Sequence, residues 1–191
     1  MTDLVGAERG GKRERLVASA ADLMHRHGVP VTTLAQVAQA ADVPPGNVYY
    51  YFKTKDDLVR AVIQARTEQI HGLISAADKR RTPAAALKAL LRSWADMREI
   101  VASHGCPIGT LCADLGRRHD DIATEATVLL RLLLDWSAAK FRLMGRRDAD
   151  DLAVALVGGV EGAALLSHSL HDAELMHTHM RAMQRWVDSL A

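Results

Sequence analysis

Hydrogen-bonding side chains with the reach to contact nucleic acid cluster between Val31 and Leu58. Gly46 leaves the backbone open to close approach, and the amide of Asn47 can donate and accept hydrogen bonds at a base edge. Phenolic and basic groups follow them and could donate to phosphate oxygens. The segment therefore has the chemistry of a DNA-contacting surface. Its candidate contact residues are Thr33, Pro45, Gly46, Asn47, Tyr49, Tyr50 and Lys55.

A second chemistry is possible in the segment Gly105-Cys106-Pro107-Ile108-Gly109. Pro107 suits the first turn of a helix, which would place Cys106 at the N-terminal end of that helix. The helix dipole lowers the pKa of a thiol there and favours the nucleophilic thiolate. Cys106 is therefore a candidate redox or electrophile sensor, and a small buried structural residue is the alternative. Cys112 would lie about 9 Å further along the helix, too far away for a disulfide.

The nine histidines raise the question of a metal site. His168 and His171 share a helix face, and Asp172 is adjacent. His177 and His179 point to different faces, so the spacing provides no cluster of three ligands. We predict no metal and no cofactor. We also predict no catalytic residue, because neither a nucleophile–base pair nor a phosphate-binding glycine loop is present.

Two short helices joined by a tight turn would hold the candidate DNA contacts in place. Thr33 is a suitable N-cap for a helix with one apolar face. Asp42 lies where the chain reverses, and Pro44-Pro45 can begin the next helix, because the first amides of a helix have no intrahelical partner. The tip of this second helix can enter a major groove about 12 Å wide. We expect Phe52 to pack in the core and Tyr49 to serve both the core and DNA.

This segment resembles the N-terminal helix-turn-helix of the TetR family of one-component transcriptional regulators. The shared pattern reads TT-x3-VA-x2-A-D-V-x2-G-x-VYYYF-K-T-K-D-x-L. It departs from the commoner family pattern at Pro44-Pro45, where a small hydroxyl and a basic residue are usual, and at Asn47, where a hydroxyl is common. The positions that carry the resemblance are Thr32, Thr33, Val37, Ala38, Ala41, Val43, Gly46, Val48, Tyr49, Phe52, Lys55 and Leu58.

The resemblance implies an all-α protein of about nine helices that forms a homodimer through its last two helices. A seam of apolar residues at helical spacing and a flat glycine surface on the preceding helix suit such packing. An intramolecular core is the alternative. The candidate interface residues are Gly158, Gly162, Met176, Met180, Met183 and Val187.

Members of the family bind a small-molecule effector among their middle helices. The mainly apolar candidate lining here favours a hydrophobic or aromatic effector. Glu161, alone in an apolar helix, could meet a polar ligand group or lie at the surface. The candidate effector-binding residues are Trp94, Met97, Ile108, Leu111, Leu115 and Trp136.

Composition and periodicity support this organisation. The net charge of +1 gives no bulk nucleic-acid signature, so DNA binding must come from the placement of residues. Two cysteines fit a reducing cytosol. The longest apolar run, Leu152–Val160, is shorter than the roughly 20 residues of a membrane span.

Residues 1–11 look like a frayed tail. The helices expected after the helix-turn-helix are Thr54–Ala77, Ala84–Ser103, a short one from Pro107, Asp120–Met144, Ala149–Leu170 and Ala173–Leu190.

We therefore predict a cytoplasmic DNA-binding regulator that is not an enzyme. Residues 1–55 form the TetR-type DNA-binding domain, and residues 56–191 bind the effector and dimerise. Its partners are a palindromic double-stranded operator, a small effector and a second copy, with no membrane. Repression relieved by the effector is the favoured mechanism. A thiol sensor acting through Cys106 is the alternative, and a helical adaptor that does not bind DNA is a remote one.

Overall fold

The computed structural model describes residues 11–191, and this part of the chain is entirely helical, in ten helices. The predicted frayed tail lies outside the described residues, apart from Gly11. The helices are α1 Lys12–His27, α2 Leu34–Ala40, α3 Pro45–Tyr51, α4 Lys55–Asp78, α5 Pro83–Asp96, α6 Arg98–His104, α7 Gly109–Gly116, α8 Asp121–Leu143, α9 Ala149–Leu170 and α10 Ala173–Ser189.

Two differences from the sequence prediction are larger than one residue at a helix end. The stretch predicted as one helix over Ala84–Ser103 is divided at Met97, which accounts for the tenth helix. The short helix predicted to begin at Pro107 begins at Gly109, because Pro107 and Ile108 form a turn. Cys106 is therefore not in the first turn of that helix.

The described chain forms two compact units that do not follow a single cut in the sequence. The N-terminal unit contains the described residues up to Thr67 together with Thr110–Thr127. The C-terminal unit contains Glu68–Gly109 and Val128–Ala191. The sequence predicts a single division at residue 55, whereas here the N-terminal unit extends to Thr67 and also includes Thr110–Thr127 from the middle of the sequence.

Helix α2 in the N-terminal unit has well-defined ends. A capping box starts it: the Thr33 hydroxyl accepts a hydrogen bond from the Gln36 amide, and the Gln36 side chain accepts one from the Thr33 amide. Asp42, in the left-handed conformation at φ 52°, ends it. The amides of Asp42 and Val43 donate to the carbonyls of Gln39 and Ala38, as in a Schellman motif. These local bonds make the tight turn that the sequence predicts at Asp42.

The C-terminal unit is a bundle in which α10 packs against α5, α6 and α9, and α6 packs against α9. Its core is aliphatic, with one aromatic pair, Phe141 and Trp186, whose rings meet edge-on at 5.9 Å. Helix α9 is long and apolar enough to cross a membrane by length and composition alone. The prediction from sequence counted only its uninterrupted apolar run. Because part of α9 is buried inside this bundle, its composition also fits the core helix of a folded domain.

Candidate nucleic-acid interface

Helix α3 is anchored by one side and exposed on the other. Val48 and Phe52 are buried, with exposed fractions of 1% and 2%, and they fix the helix in the N-terminal unit. Pro44 precedes the helix and Pro45 occupies its first position, where the missing amide hydrogen carries no cost. The Asn47 amide donates to the Pro44 carbonyl at 2.8 Å. The opposite face of this anchored helix is exposed at Pro45, Gly46, Tyr49 and Tyr50, whereas Asn47 and Tyr51 are half-buried.

Tyr49 and Tyr50 present their rings to the outside of α3, with exposed fractions of 54% and 77%. The ring of Tyr50 meets that of Tyr51 edge-on at 5.0 Å, which restrains its position. Exposure of two large aromatic side chains beside each other is unusual unless a partner covers them. The prediction that Phe52 packs in the core is confirmed, whereas Tyr49 lies mainly outside it.

Gly46 lies at the exposed tip of α3. Within the described residues 11–191, no atom lies within 4 Å of the point where a Cβ on Gly46 would be. Its backbone is not in the positive-φ region that favours glycine. In the described part of the chain, neither the backbone conformation nor the packing at this position requires a glycine.

Thr33 and Lys55, two further candidate contacts, already have partners inside the chain. The Thr33 hydroxyl lies 3.0 Å from the Gln36 side-chain oxygen, so its proton serves the capping box. The Lys55 ammonium donates to the Pro30 carbonyl at 2.9 Å. Burial and the nearby Arg118 lower the pKa of Lys55, and Asp56 opposes them. Lys55 therefore fixes the turn between α1 and α2, and its two other ammonium protons remain for a phosphate.

Two residues that sequence reasoning missed also reach this region from Thr110–Thr127. The Asp114 carboxylate accepts a hydrogen bond from the Val29 amide at 2.8 Å. Arg118 forms a bidentate pair with Asp56 at 2.8 and 2.9 Å. No local signal marks either residue, because their partners are 85 and 62 positions away in the sequence. Only the fold brings them together.

Cys106 does not have the surroundings that a reactive thiolate needs. It is 3% exposed, and its Sγ lies 3.1 Å from a carboxylate oxygen of Glu161. Burial and this negative neighbour raise the pKa of the thiol to about 12. The prediction of a lowered pKa is therefore wrong, and the helix whose dipole was to lower it begins only at Gly109. The alternative interpretation of Cys106, a small buried residue, fits this environment.

The candidate effector-binding residues do not all fall in one unit. Leu111 and Leu115 are buried in the N-terminal unit, with the helix-turn-helix. Trp94, Met97, Ile108 and Trp136 belong to the C-terminal unit. The indole of Trp136 donates to Asp78 at 2.9 Å, and the Lys140 ammonium lies 5.3 Å from the centre of its ring. Glu161 is turned inward rather than lying at the surface, and its carboxylate lies against the Gly109 backbone.

The methionine seam of α10 packs inside a single chain. Met176, Met180 and Val187 are fully buried, so they have no surface left for a second chain. Met183 lies against Gly159 of α9. We therefore correct the assignment of Met176, Met180 and Val187 from a dimer interface to the intramolecular core of the C-terminal unit. Met183 is half-buried, and its place at an interface stays a prediction.

The glycine surface of α9 faces outward instead. Gly158 and Gly162 are exposed, and in the described chain nothing lies within 4 Å of a Cβ built on either. They continue into an exposed apolar stripe along the same face of α9. The stripe consists of Val154, Gly158, Gly162, Leu165, Leu166 and Leu170.

The two histidines at the turn between α9 and α10, His168 and His171, have partners within the C-terminal unit. His168 Nδ1 lies 3.1 Å from the Ala102 carbonyl, and the His168 and His171 rings meet edge-on at 6.2 Å. Among the residues that the structure describes, no group of three or more His, Cys, Asp or Glu side chains could hold a metal ion.

Comparison with known proteins agrees with this geometry in both parts of the chain. Residues 16–62 match the family described as bacterial regulatory proteins, tetR family. Residues 83–182, just over half of the chain, match the C-terminal domain described as transcriptional regulator LmrA/YxaF-like. An uncharacterized HTH-type transcriptional regulator of Mycobacterium tuberculosis is 28% identical over 182 residues, which cover 90% of this chain and 93% of that protein.

Solved structures of TetR regulators have the same fold. That of a TetR transcriptional regulator from Legionella pneumophila superposes with a TM-score of 0.82 at 20% identity, covering 94% of this chain and 97% of its own. That of regulatory protein TetR from Rhodobacter sphaeroides gives a TM-score of 0.79 at 26% identity, with coverages of 90% and 96%. These matches confirm the predicted all-α fold with an N-terminal helix-turn-helix. The chain thus belongs to the TetR family of bacterial transcriptional regulators, which bind DNA and are not enzymes.

Proposed function

We propose that this regulator is a cytoplasmic homodimeric repressor that leaves a palindromic operator when a small hydrophobic effector binds. The observation that carries the proposal is the exposed tip of α3. Gly46, Tyr49 and Tyr50 lie on a helix anchored by its buried side, and no contact inside the described chain explains their exposure. A glycine that approaches the groove and phenols that reach phosphates account for all three.

Dimerisation through the exposed stripe of α9 completes the proposal. A dimer places two reading helices about 34–36 Å apart, one turn of DNA, and so requires a palindromic site. The stripe is apolar, and its glycines allow two α9 helices to approach closely across a two-fold axis. Leu165 and Leu166 would otherwise leave a contiguous apolar surface in water.

The effector would act by shifting the population of two dimer states. A ligand that binds better to a state whose reading heads no longer match the half-site spacing lowers operator affinity, whereas equal binding to both states has no effect. Apolar side chains such as Trp94 and Ile108 in the C-terminal unit favour a hydrophobic effector. The buried thiol of Cys106, with its raised pKa, favours such a ligand over direct oxidation as the signal.

Fluorescence anisotropy with duplexes from the protein's own upstream region tests the DNA-binding part. Tyr50→Phe removes only a hydroxyl from an exposed ring, so folding should not change, and we expect weaker operator binding. Lys79→Ala, which removes an exposed charge in the C-terminal unit, should leave the affinity unchanged. Wild-type protein that binds no upstream duplex at low salt would contradict the proposal, and so would Tyr50→Phe with wild-type affinity.

The oligomeric state tests the α9 stripe separately. Leu166→Glu places a charge in the stripe, and we expect it to yield monomers in light scattering. Leu143→Glu is the matched control, because Leu143 is also an exposed leucine of the C-terminal unit but lies on α8. A strictly monomeric wild-type protein, or a Leu166→Glu variant that stays dimeric, would rule out this interface.

A further inference from the structure

The DNA-binding unit of this protein is not made from its N-terminal helices alone. Thr110–Thr127, which contains most of α7 and the start of α8, belongs to the same compact unit as the helix-turn-helix. Polar contacts in the described chain join this segment to residues before Thr67. They are Asp114 with Val29, Arg118 with Asp56, and Glu125 with Arg60.

Asp114 acts on the turn between α1 and α2. Gly28 ends α1 at φ 91°, and the next amide, that of buried Val29, points to the Asp114 carboxylate at 2.8 Å. A Cβ on Gly28 would come within 3.1 Å of the same carboxylate oxygen. Asp114 thus supplies a hydrogen-bond acceptor to the Val29 amide, which follows the end of α1 and lies outside the hydrogen-bond pattern of the helix. Losing it would leave the Val29 amide without this partner.

Arg118 acts on the same turn indirectly, through two neighbouring residues at the start of α4. Its guanidinium binds both oxygens of Asp56 and is itself held by Asp120. The hydrogen bond from Arg118 is the main reason that the pKa of Asp56 is lowered. Asp56 adjoins Lys55, whose ammonium holds the Pro30 carbonyl. Two routes from residues 110–127 therefore converge on Val29 and Pro30, the residues that lead into α2.

We propose that Asp114 and Arg118 are positioning residues for DNA recognition, which hold the entry to the helix-turn-helix without touching DNA. This proposal deepens the repressor function and rests on it. The orientation of α2 and α3 depends on the turn that precedes them. Loss of the Asp114 contact or of the Arg118 contact therefore lowers the fraction of DNA-binding units whose helix-turn-helix has the binding-competent orientation. Apparent affinity falls with that fraction. A twofold fall in each of two heads gives about a fourfold loss for a dimer.

The experiment compares matched variants of the full chain by operator anisotropy at several salt concentrations. Asp114→Ala removes the acceptor, whereas Asp114→Asn keeps an oxygen for the Val29 amide and loses only the charge. Arg118→Ala breaks an exposed pair and should not impair folding. Arg146→Ala is its control, because it breaks a similarly exposed arginine–aspartate pair in the C-terminal unit.

We expect Asp114→Ala and Arg118→Ala to bind the operator about fourfold more weakly with an unchanged salt slope, because no phosphate contact is lost. Asp114→Asn and Arg146→Ala should stay near wild-type affinity. A reduced salt slope for Arg118→Ala would make Arg118 a phosphate contact and overturn the proposal. Unchanged affinity of both alanine variants would also overturn it.

Hydrogen exchange of the Val29 amide, measured without DNA, separates this proposal from the repressor function. We expect faster exchange in Asp114→Ala than in Asp114→Asn, whatever the wild-type protein does with DNA. If exchange behaves as expected but wild-type protein binds no upstream duplex, the repressor function fails and the local link stands. If Val29 exchanges at the wild-type rate in Asp114→Ala, the positioning role fails.

Discussion

Substitution of Gly46 by alanine separates the role of the α3 tip in the fold from its role on DNA. Gly46 is the second residue of α3, exposed, with no described atom within 4 Å of a built Cβ. The methyl group therefore meets no steric barrier in the described part of the chain. Alanine is favoured over glycine by up to about 1 kcal/mol inside a helix, and we expect about half of this so near the helix start. For a domain of this size, that corresponds to a rise in Tm of about 1–2 °C.

On DNA, the same methyl group should act in the opposite direction. If the tip enters the groove, a Cβ intrudes between the backbone and the base edges in each head. We expect a cost of about 1 kcal/mol per head, hence about 2 kcal/mol for the dimer, which is roughly a thirtyfold loss of affinity. Gly46→Ala should thus be slightly more stable and a much weaker operator binder.

Thermal unfolding and operator anisotropy of the same preparation measure both effects. Gly72→Ala is the matched control, because Gly72 is an exposed helical glycine of α4 that also has open space around a built Cβ among the described residues. It should gain stability and keep its affinity. Gly46→Ala with wild-type affinity would refute a tip in the groove. A large loss of stability would refute the reasoning from open space.

Three further outcomes follow from particular contacts. Burial raises the pKa of Glu161, so the stability that this carboxyl contributes is present at low pH and lost as pH rises through the raised pKa. Glu161→Gln should therefore flatten the fall of stability as pH rises above about 4, the ordinary pKa of a glutamate. Urea unfolding with the same pH dependence as wild type would contradict this. Thr33→Ala removes the capping box of α2 and should lower the free energy of unfolding by about 1 kcal/mol, measured by thermal unfolding. An unchanged Tm would show that the cap does not stabilise the protein. Cys106→Ser keeps a hydroxyl donor for Glu161, whereas Cys106→Ala does not. In urea unfolding, we therefore expect the Cys106→Ala variant to be less stable than the Cys106→Ser variant by about 1 kcal/mol or more. Equal stabilities of the two variants would show that the contact contributes little.

Local sequence was sufficient for the helix-turn-helix because its signals act over a few residues. Thr33 with Gln36 starts α2, Asp42 turns the chain, and Pro45 starts α3, all through hydrogen bonds or backbone preferences within one or two turns. The division of the predicted Ala84–Ser103 helix at Met97 carried no such signal. No proline or glycine marks that position.

Tertiary structure decided which face of each apolar helix turns inward. The methionines of α10 and the glycines of α9 have similar spacing in the sequence, and periodicity alone cannot tell a core from an interface. Packing of α10 against α5, α6 and α9 buries Met176 and Met180, whereas Gly158 and Gly162 stay outside.

The sequence by itself determined most of the helices, the cap of α2 and the DNA-binding motif, because these depend on neighbours along the chain. Tertiary structure alone decided the chemistry of Cys106, since the pKa of a thiol depends on burial and on Glu161, 55 residues away. It also decided the positions of Asp114 and Arg118 beside the helix-turn-helix. Contacts between residues this far apart exist only once the chain is folded, so no local pattern encodes them.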